Sequence, residues 1–265
     1  MKRLLNLTAA VAILILASSA LPASIFAKSA DFGVPEVDGT YSDPSHPGTK
    51  VRVIVHKART AKPGKPSVTP TLVCDLQDPS SSTKVPAGGW TLPANWTYNL
   101  NPGSVPSTVG GANLPTIADR GFGVWEPATG NEVNFSQGAS TTVSRQAYDD
   151  VNVVAWGRTS GSALAVTYIR YNSVTKVAVD VDMIVNKSFA WYWVDQSGVN
   201  KNCAYSGVYD AQNILTHEFG HWVGLDDTYD ASFTDNTMFG YGSKQEVKKD
   251  TLTSGDQAGA HDIYN

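Results

Sequence analysis

Two histidines near the C-terminal end of the chain, His217 and His221, stand four residues apart. On an α-helix this spacing places both imidazoles on one face, one turn apart, where they can bind a single metal ion. Glu218 lies between them and points to one side of that face. From there it can accept a proton from a metal-bound water without being a ligand itself. The pattern predicts a helix that carries two metal ligands and a general base.

The residues that follow this helix offer a third ligand. Gly224 can adopt the left-handed conformation that a sharp exit from a helix requires, so the chain can turn back and bring Asp227 under the same metal. Asp226 is the rival ligand, but only Asp227 fits the spacing H-E-x-x-H-x-x-G-x-x-D. Three protein ligands leave a fourth position open to water, which is typical of a catalytic rather than a structural zinc site.

This stretch resembles the extended motif of the metzincin metallopeptidases, H-E-x-x-H-x-x-G-x-x-H/D. Most metzincins have a third histidine where this chain has Asp227, whereas snapalysins and some matrixin-like bacterial proteins have aspartate. By the same resemblance, Met238 would belong to the turn beneath the zinc and support the site without binding the metal. Phe239 to Tyr241 would help to wall the pocket for the side chain after the cleaved bond. A core methionine that fills a gap is the alternative for Met238.

The first residues are typical of a secretory signal. Lys2 and Arg3 form a short basic region, residues 4–20 are apolar, and small residues follow. We predict a signal peptide over residues 1–27 and a secreted, extracellular protein that has no membrane segment after cleavage. The alternative is an uncleaved membrane anchor, which the short apolar run and Pro22 disfavour.

Composition narrows the class of protein further. The formal net charge of -4 and the pI near 5.7 argue against nucleic-acid binding. Only 17% of the residues are charged, which suits a secreted protein with β-strands better than a cytosolic helical one. The length allows one sizeable domain plus an extension.

Residues 28–88 differ from the rest and are predicted to be an N-terminal extension or propeptide. Proline, glycine, serine and lysine cluster here, around two short predicted strands at 51–56 and 69–76. The segment could be a removable propeptide, a linker or a hairpin packed on the following domain. It contains His46 and His56, which we expect to be solvated or structural, because neither has a second ligand at metal spacing.

The chain has two cysteines, Cys74 and Cys203. In a secreted protein such a pair most simply forms one disulfide. The resemblance to matrixins offers an alternative, in which Cys74 is a latency switch that binds the zinc from a propeptide. The residues around Cys74 lack the Pro-Arg-Cys-Gly motif of that family, and a switch would leave Cys203 unpaired, so we favour the disulfide.

Residues 89–265 are predicted to form the main domain. A helix is predicted at 112–125, and strands are predicted at 96–100, 132–135, 151–156, 163–171 and 176–186. In the last strand, valines and Met183 alternate with Lys176, Asp180, Asp182 and Asn186, which predicts one buried and one solvated face.

Two further helices are predicted in the C-terminal part of the chain. The metal-bearing helix begins after Asp210, a good N-cap, and runs to about residue 223. It is apolar nearly all round, which predicts a buried helix in the centre of the domain. Thr253 and Asp256 form a capping-box pattern that opens a C-terminal helix to about Tyr264.

The order of strand, helix, four strands and active-site helix also resembles the matrixin catalytic domain. This resemblance implies an α+β fold (α/β-type metzincin) with a mixed five-stranded sheet, an antiparallel edge strand, a backing helix, the zinc-bearing helix and a C-terminal helix. In that family the fourth strand is the edge, and substrate pairs with it. Residues 163–171 take that place here, so we expect an extended peptide to pair there. An edge strand without a ligand is the alternative.

The resemblance thus implies a secreted, monomeric zinc-dependent endopeptidase that hydrolyses protein or peptide substrates through a zinc-bound water activated by Glu218. One alternative is a catalytically silent binding protein or adhesin with the same fold. Another is a gluzincin, whose glutamate ligand comes from a second helix; Gly224 and Asp227 argue against it. The expected metal is Zn²⁺. The acidic run that includes Asp230 and Asp235 could hold Ca²⁺ or be a solvated loop.

Overall fold

The computed structural model describes residues 33–59, 63–66 and 68–265. The predicted signal peptide lies outside these residues. Asp31–Asn265 forms one compact unit. Among the described residues, no helix has both the length and the apolar character that crossing a membrane requires.

The described residues form short and long strands and three α-helices. The helices are α1 (Leu114–Ala128), α2 (Ala211–Trp222) and α3 (Ser254–Tyr264). The strands are β1 (Gly39–Ser42), β2 (Thr49–Ala58), β3 (Leu72–Val73), β4 (Asn95–Leu100), β5 (Asn134–Gln137), β6 (Val153–Gly157), β7 (Ala163–Asn172), β8 (Ala178–Asn186), β9 (Trp191–Tyr192), β10 (Ala204–Tyr205), β11 (Tyr209–Asp210) and β12 (Tyr241–Gly242).

The main sheet has eight strands, in the order β1-β2-β7-β8-β6-β4-β5, with β12 paired to β2. Strands β4, β5, β6 and β8 are parallel, whereas β7 is antiparallel to β8 and to β2. The molecule is therefore α+β with a mixed sheet, as predicted. The predicted count of five strands is wrong, because the N-terminal extension contributes β1 and β2 and the chain after α2 contributes β12.

Strand β7 is not an edge strand, contrary to the sequence prediction. β2 pairs with it from Thr49 opposite Asn172 to Lys57 opposite Ala163. β2 buries valines on one face and Ile54 on the other. Burying each such side chain stabilises the fold by about 1.5–3 kcal/mol. The fold with β2 paired to β7 is therefore more stable than one in which β7 is an uncovered edge.

The predicted solvated face of β8 is also wrong. Asp180 and Asp182 are buried, because the loop before β6 covers them. The backbone N–H groups of Ala147 and Val153 donate to Asp182, and Arg170 donates to Asp180 over 2.7 Å. Alternation along a strand marks two faces, but it does not say whether a loop covers the polar one.

Helices α1 and α2 pack together on the opposite face of the sheet, and α3 packs against α1. Every residue of α2 is buried, as its apolar circumference predicts. Phe122 of α1 stacks on Phe219 of α2 with ring centroids 3.7 Å apart. Helix α2 thus lies in the main core, where its side chains are held by close packing on all sides.

A disulfide joins Cys74 to Cys203. Next to it, β3 pairs with β10, with Val73 opposite Ala204. The prediction of a disulfide is confirmed. The alternative, a Cys74 thiol that binds a metal, does not apply to this structure because the sulfur is already bonded.

Candidate metal centre

Helix α2 begins and ends as the sequence predicts. The Asp210 side chain accepts a hydrogen bond from the N–H of Asn213 over 3.0 Å and caps the first turn. After the last turn, Gly224 has φ +106°, and a Cβ there would lie 2.5 Å from the carbonyl oxygen of Trp90. Only glycine fits this close turn, which sends the chain back beneath the helix.

The turn brings three potential ligand atoms together. Asp227 Oδ1 lies 3.1 Å from His217 Nε2 and 3.6 Å from His221 Nε2. The two imidazoles have no exposed surface, and the Asp227 side chain is 1% exposed. Within the described residues, none of these three atoms has a hydrogen-bond partner. Buried polar atoms are nearly always paired, so three that converge without partners fit a metal ion.

Hydrogen bonds behind the ligands orient them toward this point. His217 Nδ1 lies 2.6 Å from the carbonyl oxygen of Thr237, and His221 Nδ1 lies 2.9 Å from that of Leu225. A carbonyl can only accept, so each Nδ1 carries the hydrogen and each Nε2 presents its lone pair. The Tyr229 hydroxyl donates to Asp227 Oδ2 over 2.9 Å, which leaves Oδ1 for the metal.

Burial sets the charge state of the ligands. It lowers the pKa of His217 well below its usual value and that of His221 to about 4, so both imidazoles are neutral at pH 7, as metal binding requires. Burial raises the pKa of Asp227, and the neighbouring His221 opposes this shift. Without a cation, the site therefore disfavours the carboxylate, and a divalent metal ion would offset that cost.

Glu218 stands beside the three ligand atoms. The Thr167 hydroxyl of β7 donates to Glu218 Oε2 over 2.6 Å. Burial raises the pKa of Glu218 to about 8; the Thr167 hydrogen bond opposes the shift and the nearby Asp227 adds to it. A carboxyl group with a pKa near neutrality can both accept and return a proton at pH 7.

His56 of β2 also lies in this site, although its spacing along the chain predicts only a solvated or structural residue. Its Nδ1 is 3.2 Å from Glu218 Oε1, and its ring centroid is 3.9 Å from that of His217. Its side chain is fully buried, and neither ring nitrogen has a hydrogen-bond partner within the described residues. His46, in contrast, bonds Asp43 at the surface, as expected of a structural residue. Local spacing could not reveal His56, because strand pairing brings it to the site.

The turn that contains Met238 packs under α2. Met238 is buried, and a Cβ on Gly220 would lie 2.2 Å from its sulfur. The Asp256 carboxylate of α3 accepts hydrogen bonds from the N–H groups of Thr237 and Met238 over 3.0 and 3.1 Å. The buried Lys249 ammonium donates to the carbonyl of Thr237. Asp256 and Lys249 therefore fix the carbonyl that orients His217, a role that the capping-box pattern alone does not reveal.

The acidic residues that directly follow α2 do not converge on a second candidate metal site. Asp226 Oδ1 accepts from Arg52 over 2.7 Å, and Asp230 caps a short turn at Ser232. The described residues contain two groups of three potential metal ligands among the His, Cys, Asp and Glu side chains, namely His217, His221 and Asp227, and His56, His217 and Glu218. Asp226, Asp230 and Asp235 belong to neither group. These contacts favour the solvated-loop interpretation over a calcium site.

No family model matches the chain, and no curated protein matches it at a significant level. The geometry of this site is therefore the best guide to function.

Proposed function

We propose that this protein is a secreted zinc-dependent endopeptidase of the metzincin type, most similar to matrixins. The observation that carries the proposal is the convergence of three buried, unpartnered ligand atoms beside one buried carboxyl group. His217, His221 and Asp227 would hold the metal, and Glu218 would act as the proton carrier. Orientation of both imidazoles by backbone carbonyls is the arrangement expected behind metal ligands.

The residues of this chain suit peptide hydrolysis. A zinc ion at the three ligand atoms would polarise the attacking water and the scissile carbonyl. Glu218 accepts a proton from the attacking water as the C–O bond forms, and it gives that proton to the leaving amine as the C–N bond breaks. The Thr167 hydroxyl holds Glu218 in one orientation beside the metal ligands.

The order of elements in residues 89–265 also supports the proposal. Strand β4, helix α1, strands β5 to β8 and helix α2 occur in this order, with only the two-residue strands β9, β10 and β11 between β8 and α2. This order resembles the matrixin catalytic domain. β7 is the fourth of these strands and the antiparallel one. Among the described residues, the group of ligand atoms contains Asp227 and no glutamate from a second helix, which disfavours the gluzincin alternative.

A catalytically silent binding protein with the same fold is the second candidate. The observation that favours it is the burial of the site, since Glu218 and both imidazoles have no exposed surface. A silent protein could keep its metal site closed permanently, whereas an enzyme must open it to substrate.

The test is an assay of the zinc-loaded protein on casein and on quenched fluorescent peptides. The protein is assayed as the full chain and after a specific cut between Gly64 and Lys65, which are exposed. We expect one of these forms to cleave, and we expect Glu218→Gln to lower the rate at least about 100-fold with unchanged zinc content. The matched control is Glu132→Gln, an exposed carboxylate outside the site. A folded, zinc-loaded protein that cleaves no substrate in either form would favour the silent candidate.

A further inference from the structure

We propose that a cavity beside the first turn of α2 is a binding site for Ca²⁺, with Asp250 and Asp78 as its carboxylate ligands. None of the residues that line this cavity belongs to the candidate metal centre, and the site does not depend on the proposed peptidase activity. Three features point to it, namely a buried carboxylate without a partner, an oxygen-rich cavity and an excess of negative charge.

The first feature is the carboxylate of Asp250. Both of its oxygens are buried, and within the described residues neither has a hydrogen-bond partner. Buried polar atoms are nearly always partnered, and a buried charge costs free energy unless it is paired or hydrogen-bonded. The backbone N–H of the same residue is satisfied, because it donates to the carbonyl of Val247 over 2.9 Å. Only the side chain lacks a partner, and that partner is either a cation or a proton.

The second feature is the cavity that Asp250 lines, which has a volume of about 210 Å³. Most of its other polar residues carry side-chain oxygens, namely Asp78, Gln196, Asn202, Gln212 and Thr251. Ca²⁺ takes about six to eight oxygen ligands from carboxylates, amides and waters. A water molecule occupies about 30 Å³, so the cavity has room for an ion and for several waters that complete its shell. Two carboxylates and neutral oxygens therefore form a mixed ligand set of the kind that Ca²⁺ accepts.

The third feature is the charge around this point. Burial raises the pKa of Asp250 well above its usual value, and the neighbouring carboxylates of Asp210 and Asp78 add to this shift. Arg120 opposes the shift, but its guanidinium donates to a different carboxylate over 2.7 Å. Lys201 also lines the cavity, yet it donates to neither oxygen of Asp250. A bound Ca²⁺ would offset the repulsion between these carboxylates.

A cation here would connect segments that are distant in sequence. The cavity lies between the two segments that the disulfide joins, the first turn of α2 and the loop at residues 247–251. That loop carries Lys249, whose ammonium donates to the Thr237 carbonyl behind His217. An ion that binds only the folded chain stabilises it, so we expect Ca²⁺ to raise the melting temperature.

The experiment titrates Ca²⁺ into the full chain, which is first dialysed free of metal and then given an equimolar amount of Zn²⁺ to fill the candidate zinc site. Calorimetry should report about one Ca²⁺ per chain with a Kd of about 0.1–1 mM, the range of extracellular calcium modules. Ca²⁺ at about 10 mM should raise Tm by at least about 3 °C. The same concentration of Mg²⁺ should raise it much less, because Mg²⁺ demands a smaller octahedral shell.

Terbium luminescence tests where the ion binds. The indole N–H of Trp193 donates to the Gln212 side-chain oxygen over 3.2 Å, so the indole lies next to the cavity. Tb³⁺ bound there should be excited through this indole, and Ca²⁺ should displace it. Trp193→Phe should remove most of the luminescence while the Ca²⁺ affinity changes less than about twofold.

Substitutions of the lining residues test the assignment of the ligands. Asp250→Asn should weaken Ca²⁺ binding at least about tenfold, whereas Lys201→Ala, which removes a competing cation, should strengthen it several-fold. Asp230→Asn is the matched control at an exposed carboxylate outside the cavity and should leave the affinity unchanged. Asp78→Asn, at an exposed position, should show the same loss as Asp250→Asn and decides the question if Asp250→Asn fails to fold.

Two results would overturn the proposal. A folded, zinc-loaded wild type that binds no Ca²⁺ would mean that Asp250 carries a proton instead of contacting a cation. Binding that both Asp250→Asn and Asp78→Asn leave unchanged would place the ion elsewhere on the chain. Loss of Ca²⁺ binding in these variants with unchanged zinc content would support the cavity as a second, separate metal site.

Discussion

His217 and His221 are oriented by backbone carbonyls that come from later parts of the chain. Their spacing on α2 predicts that they share a face, and the structure places both there. The carbonyls of Thr237 and Leu225 then decide which nitrogen of each ring faces Asp227. Spacing along one helix cannot predict these partners, because they depend on how the following turns fold back.

Substitution of the two adjacent aspartates tests which one binds the metal. Asp227→Asn keeps the shape but removes the ligand charge, so we expect the zinc content to fall from about one ion per chain to a small fraction of that. Asp226→Asn weakens a bond to Arg52 and should leave the zinc content unchanged. Metal analysis after dialysis makes the comparison, and full zinc in Asp227→Asn would disprove the ligand assignment.

His56 shows the limit of prediction from residue spacing. The ligand triad lies within eleven residues of sequence, so a local motif contains it. His56 lies far from that motif along the chain, and only the pairing of β2 with β7 brings it to Glu218. A strand at residues 51–56 could be predicted from its valines, but its neighbour in the sheet could not, because that choice depends on packing between distant segments.

At the scale of elements, glycine allows α1, α2 and the methionine turn to approach closely. A Cβ on Gly121 would lie 2.6 Å from the Phe219 ring, and one on Gly220 would lie 2.6 Å from the Trp125 ring and 2.2 Å from Met238 Sδ. In the sequence, the glycines of α1 only weaken the prediction of a helix. The structure shows that Gly121 is needed for packing, which propensity does not report.

Two glycine-to-alanine substitutions separate packing from propensity. Gly220→Ala would force a methyl group into Met238 and should lower the free energy of unfolding by about 1–3 kcal/mol. Gly123→Ala lies on α1 with no atom within 4 Å of the new Cβ, and should raise it by about 0.5–1 kcal/mol. Urea denaturation measures both. Equal effects of the two substitutions would contradict the close approach at Gly220.

Asp256 connects α3 to the methionine turn. Its carboxylate accepts from the N–H groups of Thr237, Met238 and Thr253 and from the Thr253 hydroxyl, so Asp256→Ala would leave three buried N–H donors without this partner. Each unpaired donor costs about 1–3 kcal/mol, and we expect a loss of about 3 kcal/mol or more together with weaker zinc binding. Asp262→Ala, at an exposed position on the same helix, is the control and should change neither quantity. A stable Asp256→Ala variant with normal zinc affinity would refute this connection.

At the scale of the molecule, the N-terminal extension consists of two parts with different attachments. β2 lies over the metal centre, whereas residues 81–88 pack against the C-terminal helix and the end of α2. The N–H of Val85 donates to the carbonyl of Gly255 over 3.1 Å, and that of Gly88 donates to Gly224 over 2.7 Å. Composition marks residues 28–88 as one segment, because proline and glycine occur throughout it. It cannot show that the second part belongs to the main domain.

The disulfide fixes the segment between these two parts to the chain just before α2. Cys74 and Cys203 are 129 residues apart, and the adjacent strands β3 and β10 have only two residues each, so the covalent bond is the main tie. Closing a loop of this length in the unfolded chain should make the protein about 2–5 kcal/mol more stable. We expect the double substitution Cys74→Ser and Cys203→Ser to lose that amount in urea denaturation, and reduced wild type to match it. Zinc content should stay the same, because no thiol binds the metal. A loss of zinc in the folded double variant would support the alternative that Cys74 binds the zinc, which the disulfide argues against.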